Sequence, residues 1–428
     1  MATIGLNCGL AQDVNFSDCL VKIKAAIRLR RRSGAASGTD RAGSQHVSGV
    51  VRPAQNFVRD GNCAAGRTIL PRCGHLERRL MIIFYNDQHV AHEGRVEMFR
   101  GALVPCFEVA ARVECVVDEL RSRGVGSIQA PQSFDDAVLS RTHAQRYIDF
   151  LRGAWMEWVA LDPANAERDA LPSYWPIRGF RSDVLPKSFP ARMGLFSFDA
   201  GTPLTSGTWQ AARVGAWCGL SAAHRVLGGD RSAFALTRPP GHHAGHDFFG
   251  GYCFLNNAAI AAQALRDGGA RRVAVLDIDY HHGNGTQSLF YDRADVFFAS
   301  VHGDPQTEYP YYLGHADEVG QGAGRGFNLN LPLTRGIGSD GWFAAFDLAM
   351  RSITEFKADA LVVSLGVDTF GEDPISGFRL VSKDYLRIGE KLARSGLPTV
   401  FVFEGGYAVE KVGLNTVNVL DGFQQHSA

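Results

Sequence analysis

The sequence predicts an α/β protein built on a doubly wound, mostly parallel sheet, and three observations carry that prediction. Short β-rich apolar runs alternate with stretches of helical spacing, the runs are nearly continuous in apolar character, and each ends at charged or imidazole residues. Alternating strands and helices make a parallel sheet wrapped by crossover helices. Strands apolar along their whole length are those covered on both faces. Polar residues beyond strand ends mark the rim where such sheets bind ligands.

In chain order, "MIIFYNDQHV" from Met81 supplies the first strand. "FEVAARVECVVDELRSRG" (107–124) has helical apolar spacing and stops at a glycine. Helical spacing returns over 208–228, 256–269 and 341–357. The remaining strands are "SAFAL" (232–236), "RVAVLDI" (272–278), "VFFASV" (296–301), "ALVVSL" (360–365) and "TVFVF" (399–403). Residues 171–205 break the alternation: they are proline-rich and aperiodic, yet carry Tyr174, Trp175, Phe180, Phe189, Phe196 and Phe198. Long connections are usually lids, binding loops or disorder, and six aromatics argue against disorder. An exposed aromatic patch of that size marks an interface.

Residues 1–80 read differently. They hold 13 Lys/Arg against 5 Asp/Glu in a chain of zero formal charge, so the other 348 residues carry −8. Their Gly/Ser/Ala-rich tract lacks apolar periodicity and is expected to be a disordered extension. The arginines Arg28, Arg30, Arg31 and Arg32 are a weak basis for nucleic-acid binding, and none is expected for the domain spanning 81–428. No apolar run reaches the roughly 18 residues of a membrane span. The first residues make a poor signal peptide, and eight cysteines without repeated spacing make no disulfide framework. A cytoplasmic protein with no membrane partner is expected.

The strand ends carry the chemistry. In "DIDYHHGNG", Asp277 and Asp279 are two apart, so while the strand lasts they share a face, and His281 continues the parity. With Asp368 arriving after "ALVVSLGV", a set of Asp279, His281 and Asp368 suits zinc and leaves a coordination position open. Cys253 reads as a small buried residue instead. The adjacent His242 and His243 in "RPPGHHAGHDFFGGYCF" supply groups that titrate near neutrality, as a base and an acid in amide hydrolysis require. Asp277 and Asn284 are candidate acceptors for their far N–H groups. Tyr407, after "EGG", fits as a phenol donating to a carbonyl oxygen as charge develops. His246 is assigned to rim surface.

"RPPGHHAGHDFFGGYCFLNNAAIAA", "VLDIDYHHGNGTQ", "SVHGD", "SLGVDTFGEDPISGF" and "EGGY" resemble the histone deacetylase superfamily. The likeness runs from about Met81 to Phe423 and is greatest to its bacterial acetylpolyamine amidohydrolase branch. It implies an arginase–deacetylase fold with about eight parallel strands. It also implies one zinc per subunit on Asp279, His281 and Asp368, with His243 as general base and acid. By the same match His242 assists electrostatically and Tyr407 polarises the acyl carbonyl. Asp277 pairs with His242 and, with Ser300, lines a structural potassium site. Gly251, Tyr252 and Tyr309 fall where the family lines its tunnel, and 171–205 falls where the branch shapes an entrance across a homodimer.

The function so implied is zinc-dependent removal of an acetyl group from a small N-acylated amine, such as an acetylated di- or polyamine. Within 186–205 the only acid is Asp199, opposed by Lys187 and Arg192, which favours a short diamine or a neutral acyl-amine. The alternatives are a protein acetyl-lysine deacetylase, with the same chemistry, and a non-catalytic binder of acetylated ligands. A binuclear manganese hydrolase would need Asp-x-His-x-Asp rather than the Asp-x-Asp-x-His present.

Overall fold

The computed structural model describes residues 80–85 and 87–427, so the expected extension, but for Leu80, lies outside the described residues. Ten strands follow along the described chain: β1 (Ile82–Phe84), β2 (Val96–Phe99), β3 (Ala102–Pro105), β4 (Ser127–Gln129), β5 (Ser232–Ala235), β6 (Val273–Asp277), β7 (Val296–Gly303), β8 (Asn328–Leu333), β9 (Ala360–Leu365) and β10 (Thr399–Phe403). The helices are α1 (Ala111–Arg123), α2 (Gln145–Leu161), α3 (Phe189–Phe196), α4 (Thr208–Leu227), α5 (Asn257–Asp267), α6 (Asn284–Phe290), α7 (Ser339–Phe356), α8 (Ser382–Ala393) and α9 (Val409–His426).

Eight strands form one sheet in the order β4-β1-β5-β10-β9-β6-β7-β8, and every pairing in it is parallel. β5, β6, β7, β9 and β10 are buried at every residue, which is why their sequences show no polar alternation. Side-chain direction alternates along each strand and separates two cores. Val275, Val362 and Val402 pack with alanines of α4 and α5. The intervening Phe401 meets Phe423 of α9, and Phe297 meets Phe356 of α7. The sheet is therefore covered on both sides, as the apolar runs predict.

Two expectations are corrected. Residues 171–205 are not without regular structure, because α3 lies within them. Its Phe189 and Phe196 are buried against Tyr147, Phe150 and Leu151, so only Tyr174, Trp175 and Phe180 of the six aromatics are exposed. Proline at the start of α3 costs nothing, since the first helical N–H has no intrahelical acceptor. The strands β8 and β2–β3 have no place in the sequence reading. β8 tolerates Pro332 because it lies at the sheet edge, and β2–β3 is a separate antiparallel pair.

Candidate active site

Five strands adjacent in the sheet, β5-β10-β9-β6-β7, converge on one rim. The loop after β5 carries His242 and His243. Glu404, just past β10, holds that loop by accepting from the backbone N–H of Gly241 (2.6 Å) and His242 (3.1 Å). His242 Nδ1 lies 3.0 Å from Asp277 Oδ2, and His243 Nδ1 lies 2.6 Å from Asn284 Oδ1. An amide oxygen can only accept, so His243 carries its proton on Nδ1 and keeps a lone pair on Nε2.

Asp279, His281 and Asp368 are buried, and their ligand atoms lie within 4.8 Å of one another. His281 Nδ1 is 2.9 Å from Asp368 Oδ2 and 3.4 Å from Asp279 Oδ1. Strand parity does not place them, because β6 ends at Asp277. Instead Asp277 accepts from the N–H of Asp279 (3.1 Å), and Asp279 from that of His281 (2.9 Å). These successive turns, in which a carboxylate caps the amide two residues on, aim the side chains. Glycine makes the room: a Cβ on Gly405 would stand 2.5 Å from Asp279 Oδ2, and one on Gly366 2.2 Å from it.

The rim concentrates negative charge. Asp277, Asp279, Asp368 and Glu404 are all fully buried. Burial pushes Asp277 and Asp368 above the usual carboxylate range and Glu404 up to about 8. Burial also works against charging His242 and His281, yet the surrounding carboxylates overrule it and hold both at about 10. His243, buried and beside those two imidazoles, is pushed well below its ordinary value. A bare charge in such a place is costly unless paired, and a divalent cation among two carboxylates and an imidazole is one pairing. The residues fit a metal.

The ligand atoms of a second triplet, His242, Cys253 and Glu404, also lie within 4.8 Å of one another, but it does not offer the same chemistry. One Glu404 oxygen is taken by the histidine loop, and burial keeps the Cys253 thiol protonated by pushing it well up.

Tyr407 leaves β10 through a turn fixed by Asp373, which accepts from its N–H at 2.7 Å. Burial pushes its phenol well above 10, so the group remains a donor. The buried Arg112 donates to the carbonyls of Gly406 (2.6 Å) and Glu404 (2.5 Å), with its guanidinium 4.7 Å from the Tyr407 ring centre. Glu108 Oε1 joins Arg112 (2.7 Å) to Arg238 (2.9 Å), which precedes the histidine loop. The Glu–x3–Arg pair inside an apolar helical run was the sequence signal for this link.

A cavity of about 380 Å³ reaches the rim. His243, His281 and Tyr407 line it with Gly251, Tyr252 and Tyr309. Ser300 is buried, in register with Asp277 across β6 and β7, and its Oγ lies 2.8 Å from His302 Nδ1. His246 is exposed. The expected scarcity of acids at the entrance is corrected: Glu97 from β2 and Glu308 after β7 line the cavity beside Asp199, with Arg100 and Arg335. Counting within 186–205 missed them because the walls come from distant segments.

The histone deacetylase domain profile matches residues 106–423. The chain belongs to the histone deacetylase family. It is 53% identical to acetylpolyamine amidohydrolase 2 of Pseudomonas aeruginosa over 344 residues, 80% of this chain and 99% of that protein. It is 43% identical to the acetylpolyamine amidohydrolase of Mycoplana ramosa over 342 residues, again 80% and 99%. Among solved structures, an acetylpolyamine aminohydrolase from Burkholderia pseudomallei superposes with a TM-score of 0.77 at 37% identity, covering 81% of this chain and 99% of that one. For this deacetylase-family chain the eight-stranded sheet is thus the family's fold.

Proposed function

We propose that this chain hydrolyses the amide of a small N-acylated amine, an acetylated di- or polyamine, with one zinc ion per subunit. The observation that carries the reading is the gathering, on adjacent strand ends, of a buried two-carboxylate, one-imidazole ligand set beside two oriented histidines and a phenol. Relatives named for acetylpolyamine hydrolysis, 43–54% identical over 80% of the chain, support the substrate class.

Asp279, His281 and Asp368 would hold the metal. When bound there, zinc supplies Lewis-acid chemistry, polarising a carbonyl and acidifying water. His243 Nε2 takes the proton of the attacking water as its oxygen bonds to the acyl carbon. Asn284 fixes the tautomer, and the Asp277–His242 pair supplies the neighbouring charge. Tyr407 donates its hydroxyl to the carbonyl oxygen as that oxygen becomes negative. When the C–N bond breaks, His243 returns its proton to the departing nitrogen, releasing a carboxylic acid and a free amine.

The reading extends to a potassium ion beside Asp277 and Ser300, whose side chains are buried and in register. It also includes a catalytic domain over 81–428 with residues 1–80 dispensable, a cytoplasmic location, and a homodimer formed through 171–205. The exposed Tyr174, Trp175 and Phe180 support the last point. No described helix is long and apolar enough to cross a membrane. The test compares turnover of acetylcadaverine, acetylspermine and an acetyl-lysine peptide by the purified, metal-quantified protein. Preference for the peptide overturns the substrate class, and full turnover in metal-free protein overturns the metal.

A further inference from the structure

The side walls of the cavity, Tyr252 and Tyr309, come from segments that follow different strands, and Asp199 bonds to both segments, at Gly251 beside Tyr252 and at Tyr309 itself. Asp199 Oδ2 accepts from the N–H of Gly251 at 2.7 Å and from the hydroxyl of Tyr309 at 2.6 Å. Its other oxygen accepts from the N–H of Gly201 at 3.1 Å, which fixes the carboxylate over its own turn. The segment bearing Asp199 is itself anchored, since the Phe198 N–H donates to the Phe249 carbonyl at 3.0 Å. The Phe198 ring stacks on Tyr309 at 6.0 Å between centres.

The wall that Asp199 holds would not hold itself. Gly251 and Tyr252 have φ of 55° and 66°, the left-handed region, where a non-glycine residue persists only if its surroundings dictate it. The two N–H groups of that turn are both claimed by one segment, Gly251 by Asp199 and Tyr252 by Thr202 Oγ1 at 3.0 Å. Gly251 presses on the working base: a Cβ there would lie 2.2 Å from His243 Cδ2. Tyr309 stands on another side of the same imidazole, 5.2 Å between ring centres. One carboxylate therefore sets the separation of the two groups that flank His243.

We propose that Asp199 is a specificity-determining positioning residue, a clip that sets the tunnel width and so selects unbranched acyl-amines. This rests on the amide-hydrolase reading above. It differs from a counter-ion role for an ammonium substrate, since the Asp199 oxygens already accept three donors from the chain.

The test uses Asp199→Ala and Tyr309→Phe on three amides: cationic acetylcadaverine, neutral N-pentylacetamide of the same width, and branched N-cyclohexylacetamide. Backbone hydrogen exchange over 250–253 and 307–312 is followed in parallel. In Asp199→Ala, kcat/KM for both straight amides falls together, chiefly through KM, and the branched-to-straight ratio rises by about tenfold. Exchange protection is lost in both segments. Tyr309→Phe gives a smaller rise in the ratio and leaves Gly251 protected. It decides the matter if the alanine variant does not fold. Loss confined to acetylcadaverine overturns the clip in favour of a counter-ion, and an unchanged ratio overturns it outright. Should the wild type cleave none of the three, the hydrolase reading falls, and unchanged exchange in Asp199→Ala is then the result that sinks the clip.

Discussion

The strand-end rim and the cavity wall both place carboxylates away from solvent, and they give them different partners. At the rim, Asp279 and Asp368 face each other across an imidazole. Each also accepts backbone N–H groups, Asp279 from Gly405 (2.8 Å) and Asp368 from Tyr280 (2.7 Å), so two carboxylates and an imidazole meet in one buried group that suits a cation. In the wall, Glu97 and Asp199 each accept a phenolic O–H, from Tyr252 at 2.8 Å and from Tyr309 at 2.6 Å. Those acids are tied to the phenols beside them and line a passage. What separates the two regions is grouping: buried acids that share an imidazole make a ligand set, whereas single acids that each hold a phenol fix the shape of a passage.

The largest effect is expected at the candidate ligands. Asp368→Ala or Asp279→Ala is expected to lose metal and turnover together, read by elemental analysis and rate on the same sample. Metal retained at full occupancy would mean that the rim does not need these charges. Tyr407→Phe comes next, with metal content and fold intact and kcat reduced by roughly 10²–10³, about 2.7–4 kcal/mol for one lost donor. An unchanged kcat would remove Tyr407 from the reaction.

Glu108 and Glu97 sharpen the contrast through pH. Burial alone would raise Glu108, but the guanidiniums of Arg238 and Arg112 overrule it and hold the carboxyl at about 2. A carboxyl lowered on folding stabilises above its ordinary value of 4.5, and that stability is lost as pH falls from there towards 2. Glu108→Gln should cost about 2–3 kcal/mol at neutral pH, the loss of charge-assisted hydrogen bonds. Its urea midpoint should then fall less steeply below pH 5 than the wild type's.

Glu97 goes the other way, because burial outweighs its two hydrogen bonds and raises it to about 7. Stability linked to Glu97 is present below 4.5 and lost as pH rises through 7. Glu97→Gln should flatten the decline of the urea midpoint between pH 5 and 8, and an identical slope in the variant would contradict this. The smallest effect is expected from starting the chain at Met81, which should leave kcat and the melting temperature unchanged. An insoluble or inactive product would show that the preceding residues serve the domain.

Much of the rim is legible in the sequence. "SAFAL", "ALVVSL" and "TVFVF" coincide with β5, β9 and β10 to within a residue, because fully buried parallel strands advertise themselves as unbroken apolar runs. The candidate ligand and histidine residues stand out because each run stops at a polar group. The tunnel was legible only in part. Tyr252 and Tyr309 were named by likeness to the family, while Glu97 lies on β2, a short strand whose period is too brief to read. α3 was hidden by flanking prolines and glycines in 171–205, although its apolar face is buried.

By itself the sequence determined which residue types stand at which strand ends, since composition and period act over a few residues and need no partner. Tertiary structure alone decided the pairings. Asp277 turns to His242 while Asp279 turns to His281 and Asp368, and parity cannot separate them once β6 has ended. Likewise the hydroxyl of Tyr309 meets Asp199 from 110 residues away. Such contacts depend on long-range closure of the chain, where distance in sequence carries no information about distance in space.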